Sequence, residues 1–223
     1  MPRYDVLSEE AMALLDAGWR RLVAEVGVEF LHPRALELFA AAGQRVDEER
    51  VRFDPDFLVE QAALAPSSFR LRARNCRHDI VLGGDHMVFV PVQGPPYVRR
   101  GHERRPSTLT DFEDFCRLAQ AVDDLDSAGG LPVETNDVPV EVRHLEQVRS
   151  LLLLTDKPFS GSQISGPAAV DSLAMGEIVF GAEAIAAAPC MYTNVNANSP
   201  LRWDERMLDA LFVYAAAGQA AQQ

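Results

Sequence analysis

The sequence predicts a mixed α/β fold: N-terminal helices and a small antiparallel sheet, followed by about three strand–helix units of a parallel structure. Three observations predict it. Apolar residues recur at helical spacing through the first sixty positions, short β-rich runs cluster between residues 69 and 90, and after residue 107 an apolar strand, a polar loop and a helix repeat. The repeat interval is about 31 to 33 residues, close to the length of one βα unit, and such alternation implies parallel strands with right-handed crossovers.

The first helix is marked by Leu7, Met12, Leu14, Leu15, Trp19, Leu22, Val23 and Val26, with Ser8, Glu9 and Glu10 as its start and Gly27 as its stop. His32-Pro33 leads into a second helix from Arg34 to Ala42, closed by Gly43. Residues 44–53 read as short extended segments. Asp54-Pro55 opens a third helix that runs to about Leu64, before Ala65-Pro66.

Phe69-Arg70-Leu71-Arg72-Ala73-Arg74 alternates as a strand does. Ile80-Val81-Leu82 and Met87-Val88-Phe89-Val90 flank Gly83-Gly84-Asp85, which predicts a hairpin between them. Residues 93–106, rich in Gly and Pro, read as a connector. A boundary near 107 separates a helical and small-sheet region, 1–107, from the βα units of 108–223.

In the second region the predicted strands are Leu125–Val133, Pro158–Ile164 and Ala188–Val195. The predicted helices are Thr108–Val122, Val140–Thr155, Pro167–Ala182 and Asp204–Ala217. A closed eightfold barrel or an open doubly wound sheet can be built this way, but residues 108–223 are too few for a closed barrel, which needs about 200. Gln219 to Gln223 read as a polar remnant after the Gly218 stop, with no further strand, so the chain reads as a piece of a longer protein.

Composition excludes several classes. Of the 223 residues 48% are hydrophobic and 24% charged, which is ordinary for a globular chain. With 33 Asp and Glu against 21 Lys and Arg, the formal charge of −12 disfavours nucleic acid and anionic membranes as partners. No run approaches the ~20 apolar residues of a spanning helix, and no signal core follows Met1, so a cytoplasmic location with no membrane partner is expected. Cys76, Cys116 and Cys190 lack any paired spacing, and His32, His78, His86, His102 and His144 form no ligand motif, so no metal site is expected. Nucleotide-binding and nucleophile-elbow patterns are also missing, which leaves the catalytic residues unassigned.

Ligands of parallel βα proteins bind at the carboxyl ends of the strands. The candidate substrate-binding residues are therefore Glu134 and Asn136 after the first strand, Gln163 after the second, and Tyr192, Asn194 and Asn196 at the third. Ser160, Ser162, Asn198 and Ser199 lie in the same stretches, although Asn198-Ser199-Pro200 equally reads as a turn leading to the next helix. Carboxylate and amides together suit a cationic or amide-like ligand, and a quaternary ammonium facing Glu134 would gain further from an aromatic wall. Arg99, Arg100, Arg104 and Arg105 form a basic cluster fit to pair with nearby acids or dock an acidic group.

Several stretches, in order along nearly the whole chain, resemble the trimethylamine methyltransferase family. They are Gly27-Val28-Glu29-Phe30 with Ala42-Gly43, Arg50-Val51-Arg52-Phe53, Ala65-Pro66 with residues 69–74, Gly94-Pro95-Pro96, residues 105–111, Asp137-Val138-Pro139, and Asn198-Ser199-Pro200-Leu201. The resemblance implies an incomplete (β/α)8 TIM-type barrel and transfer of a methyl group from a tertiary or quaternary amine to a protein-bound corrinoid. It implies two partners, a small methylated amine and a separate corrinoid protein that supplies the cobalt centre, while the chain itself holds no tight cofactor. In trimethylamine-specific members a pyrrolysine lies in the later barrel, beyond residue 223; quaternary-amine enzymes lack it, and theirs is the substrate class favoured here. An open barrel edge predicts homo-oligomers through that edge, or a longer native chain. On this reading the chain alone lacks a complete active site; the alternative is a catalytically inert fragment that serves as a binding or interaction module.

Overall fold

The computed structural model describes residues 6–222. The expectations for Met1–Asp5 and Gln223 lie outside the described residues. The chain divides into two compact units, Met1–Ser67 with Asn196–Leu208, and Ser68–Val195 with Asp209–Gln223, whereas the sequence pattern drew its boundary at 107.

The first unit opens with α1 (Glu9–Arg21), whose N-cap Ser8 accepts from the Ala11 N–H at 3.2 Å. Glu9 and Glu10 in its first turn and Arg20 and Arg21 in its last complement the helix dipole. One π-helical turn, Leu22–Val26, carries it to Gly27, and β1 (Val28–Phe30) follows. α2 (Pro33–Ala41) starts on proline, where the missing N–H costs nothing. β2 (Arg45–Asp47) and β3 (Arg50–Arg52) form a hairpin. α3 (Pro55–Ala63) is capped by Asp54, which accepts from the Asp56 N–H at 3.0 Å. β3 pairs antiparallel with β1, and a later strand, Arg202–Trp203, pairs parallel with β1. Phe30, Phe39 and Phe53 pack ring against ring, with centroids 4.7 to 5.9 Å apart.

The second unit corrects several expectations. β4 (Ser68–Leu71) pairs antiparallel with β5 (Ile80–Gly83), so the predicted pairing of Ile80–Leu82 with Met87–Val90 does not form. Residues 87–90 are held elsewhere: the Phe89 N–H donates to Asp126 Oδ2 and the Phe89 carbonyl accepts from the Asp126 N–H. Within the expected connector, β6 (Tyr97–Arg100) and β7 (Glu103–Pro106) form a second hairpin. Arg104 lies 3.8 Å from the Tyr97 ring centre, and Arg105 clamps Asp111 with two bonds of 2.6 and 2.7 Å.

That clamp sets the start of α4 (Leu109–Ala121). Thr108 and Asp111 form a reciprocal capping box, and Asp137 accepts the Leu109 N–H at 2.8 Å. The Arg105 hydrogen bonds, helped by those from Thr108, hold the Asp111 carboxyl down at about 2. A depressed folded pKa stabilises the fold fully above the ordinary carboxylate pKa of about 4, and the contribution is lost as pH falls toward 2. Arg105→Met is therefore expected to flatten the acid limb of stability, read by urea denaturation from about pH 2 to 6.

After α4 come α5 (Val140–Leu154), α6 (Gly166–Phe180), α7 (Ala182–Ala187), β8 (Tyr192–Asn194), β9 (Arg202–Trp203, the strand that joins β1), α8 (Glu205–Ala216) and β10 (Ala220–Gln222). The predicted helix to Ala182 is broken at Gly181, whose φ of 88° favours glycine. The predicted strands at 125–133 and 158–164 are reduced to single parallel bridges, Gly129 with Phe159 and Ser160 with Tyr192. The reading of Gln219–Gln223 as a remnant is also corrected: Ala220–Gln222 is a strand that pairs parallel with Tyr192–Asn194. Among the described residues no closed barrel is present and no helix is long and apolar enough to cross a membrane.

One face of these parallel segments is covered by helices. Ala128, Phe159 and Met191 join Phe112 and Cys116 of α4, Leu151 of α5, Ala169 of α6 and Tyr214 of α8 in one core. On the other face Tyr192 meets Leu71 and Ile80 of the β4–β5 hairpin. Met191 and Tyr192 point to opposite faces because successive strand residues alternate.

Candidate functional site

The strand-end residues were named from sequence order; the structure assigns each a different condition. Glu134 is partly buried after the first strand, with Oε2 3.9 Å from the Arg143 guanidinium. Its backbone N–H donates to the Pro95 carbonyl. Asn136 spends its amide on the loop itself, donating to the Pro96 carbonyl at 2.9 Å and to Ser107 at 3.2 Å. With Asp137 it ties this loop to the start of α4.

Gln163 is partly exposed ahead of α6 and makes no side-chain hydrogen bond to another described residue. Its neighbour Ser162 is fixed on both sides: its N–H donates to Ser172 Oγ and its carbonyl accepts from the Tyr214 hydroxyl at 2.8 Å. Asn194 ends β8 beside Gln222 of β10. Asn196 is exposed and belongs to the first unit.

Tyr192 is 5% exposed, and its hydroxyl lies 3.2 Å from Ser127 Oγ. Burial pushes the phenol pKa up, so it stays neutral near pH 7. Thr193 beside it is wholly buried, with its hydroxyl unpartnered among the described residues. A cavity of about 120 Å³ is lined by Ile80, Leu82, Val88, Val90, Ser127, Tyr192 and Gln222. Sequence reasoning missed Ser127, Val88 and Gln222. Ser127 precedes the predicted strand end by several residues, and Gln222 lay in a segment read as no strand at all.

The two buried thiols are poor nucleophiles: burial pushes Cys116 up to about 12 and raises Cys190 as well. No cluster of three or more metal-ligating groups occurs among the described residues. What the geometry offers is a set of polar side chains near the strand ends, and a small, largely apolar cavity lined in part by Tyr192.

The model of the trimethylamine methyltransferase (MTTB) family matches residues 1–223. The chain belongs to the trimethylamine methyltransferase family. It is 37% identical over 222 residues to a glycine betaine methyltransferase of Desulfitobacterium hafniense (strain Y51), covering 99% of this chain and 46% of the relative. It is 28% identical over 219 residues to a trimethylamine methyltransferase of D. hafniense (strain DSM 10664 / DCB-2), covering 95% and 43%. Against a proline betaine:corrinoid methyltransferase of Eubacterium limosum it is 26% identical over 209 residues, covering 89% and 43%. The chain thus spans less than half the length of these relatives. The family motifs now have physical roles: Arg105 through Asp111 form the clamp and cap of α4, and Asp137 adds a second acceptor to the same helix start.

Proposed function

We propose that this chain is the N-terminal part of a cytoplasmic enzyme that transfers a methyl group from a quaternary amine of the betaine class to a corrinoid held by a partner protein. The observation that carries this reading is the family match over the whole chain, together with 37% identity to a protein named glycine betaine methyltransferase. A corrinoid on the partner would supply a reduced cobalt nucleophile for the methyl group, the nitrogen keeping the bonding electron pair.

Residues 108–223 are proposed to be the first units of an incomplete (β/α)8 barrel. Support comes from the sequential parallel pairing of Gly129 with Phe159, Ser160 with Tyr192, and β8 with β10. Helices pack one face and a hairpin the other, whereas a doubly wound sheet carries helices on both faces and reverses strand order at its centre. In this reading the amides of Gln163 and Asn194 meet the substrate carboxylate, and Glu134 supplies negative charge toward the nitrogen. Asn136 holds the loop that carries Glu134.

Calorimetric titration of the 223-residue chain with glycine betaine tests the proposal. Saturable binding, weakened roughly tenfold by Asn194→Ala, is expected. A folded chain that binds no glycine betaine would turn the assignment toward the inert binding module.

A further inference from the structure

Arg99, Arg100, Arg104 and Arg105, the basic cluster of an acidic chain, all fall on one hairpin, β6–β7. Of the four, only Arg105 makes an ion pair among the described residues, with Asp111 of α4. The ladder explains the difference. Val98 pairs with Arg105 and Arg100 with Glu103, and this face lies against α4, since Val98 packs on the core. Side chains alternate along a strand, so Tyr97, Arg99 and Arg104 stand on the outer face, and all three are exposed.

Arg99 and Arg104 are directly opposite one another in the ladder, roughly 5 Å apart at Cβ, an arrangement that costs stability when the charges are alike. No carboxylate of the described residues answers either one. The Arg99 Nε–H donates to the Gly101 carbonyl at 2.9 Å, and the Arg104 guanidinium lies 3.8 Å from the Tyr97 ring centre. A carbonyl and a ring face thus hold the two groups in place while leaving both charges unneutralised. An anion brought from outside relieves their repulsion.

We infer that the outer face of this hairpin is a docking surface for an acidic segment of a partner protein. Arginine forks take carboxylates by paired hydrogen bonds, and Arg and Tyr are enriched among the residues that carry most of the energy of protein interfaces. A long polyanion such as nucleic acid meets the rest of a surface with formal charge −12, whereas a short acidic segment meets the hairpin alone. Both ends of the hairpin are tied to the loop that carries Glu134: the Glu134 N–H donates to the Pro95 carbonyl, and the Asn136 amide donates to the Pro96 and Ser107 carbonyls. A partner seated on the hairpin therefore lies beside that loop. The inference stands on the charge and geometry of the hairpin and does not rest on the proposed function.

Short poly-glutamate, labelled for fluorescence anisotropy, is the probe, with the full chain as its receptor. Saturable binding is expected that weakens as salt rises and that Arg99→Gln combined with Arg104→Gln lowers about tenfold. Tyr97→Leu keeps the charge but removes the ring beside Arg104, and is expected to weaken binding about threefold. Arg21→Gln combined with Arg149→Gln is the control. It removes the same net charge from two exposed arginines already paired with Glu25 and Glu146, and is expected to leave binding unchanged. Circular dichroism checks that each variant is folded. An equal loss from the control pair reduces the effect to net charge and overturns the inference, as does a folded chain that fails to bind or whose binding survives loss of Arg99 and Arg104. Oligothymidylate of matched charge that binds more tightly than poly-glutamate overturns the protein partner in favour of nucleic acid. The glycine betaine titration, which tests the proposed function, is unaffected by any of these results.

Discussion

Replacing Lys157 with methionine is expected to lower stability by roughly 3–5 kcal/mol, although the change keeps the length and apolar bulk of the side chain. Lys157 is 5% exposed, and its ammonium donates to three carbonyls, Ala119 at 2.8 Å, Val122 at 2.7 Å and Leu125 at 2.7 Å. Two of those carbonyls are at the end of α4, where the helix dipole favours a cation, and the third begins the turn into the first parallel segment. All three ammonium hydrogens are used, so the buried charge is solvated by backbone alone. Methionine leaves three acceptors facing an apolar neighbour and removes the link between the α4 terminus and the second parallel segment. Guanidinium denaturation of the variant checks this; a loss below about 1 kcal/mol would show that water reaches those carbonyls.

Gly27→Ala is expected to cost a similar amount, about 3–5 kcal/mol, from two separate causes. Gly27 has φ 76° and ψ −177°, a conformation that residues with a Cβ rarely adopt. A Cβ there would also stand 2.5 Å from the Val51 carbonyl oxygen and 3.0 Å from Arg52 Cγ. Val51 pairs with Val28, so the backbone of β3 can retreat only by breaking its ladder with β1. Gly43→Ala separates the two causes: its φ is 78°, but nothing lies within 4 Å of the added carbon. The control is expected to lose about 1 kcal/mol. Equal losses at both positions would sink the steric part of the argument.

Positions such as these explain why some of the fold was legible in the sequence and some was not. α1 through α6 and α8 were readable because their signals are local: Ser8, Asp54 and Thr108 as caps, Pro33 and Pro55 at first positions, and apolar residues at helical spacing. β1, β9 and β10 are two or three residues long and have too little pattern to register. Ala220–Gln222 in particular carries small and polar side chains, and is a strand because Tyr192–Asn194 lies alongside. The choice of partner for β5 was equally hidden, because Gly83-Gly84-Asp85 permits a hairpin but cannot exclude a better ladder with residues twelve positions upstream.

The candidate site divides in the same way. Sequence order along βα units named Glu134, Gln163 and Asn194 as candidates because they follow the predicted strands. It could not tell that Asn136 is consumed by Pro96 and Ser107, or that Ser127 would meet a tyrosine 65 residues away.

By itself the sequence determined the α/β class, the helices with their caps, the acidic character and the family, since each is written in neighbouring residues or in motifs kept in order. Tertiary structure alone decided which strands pair, which polar groups are spent on the scaffold, and that Tyr192 stands over a cavity. Those outcomes depend on hydrogen bonds and packing between residues far apart in the chain, whose cost and gain no local pattern records.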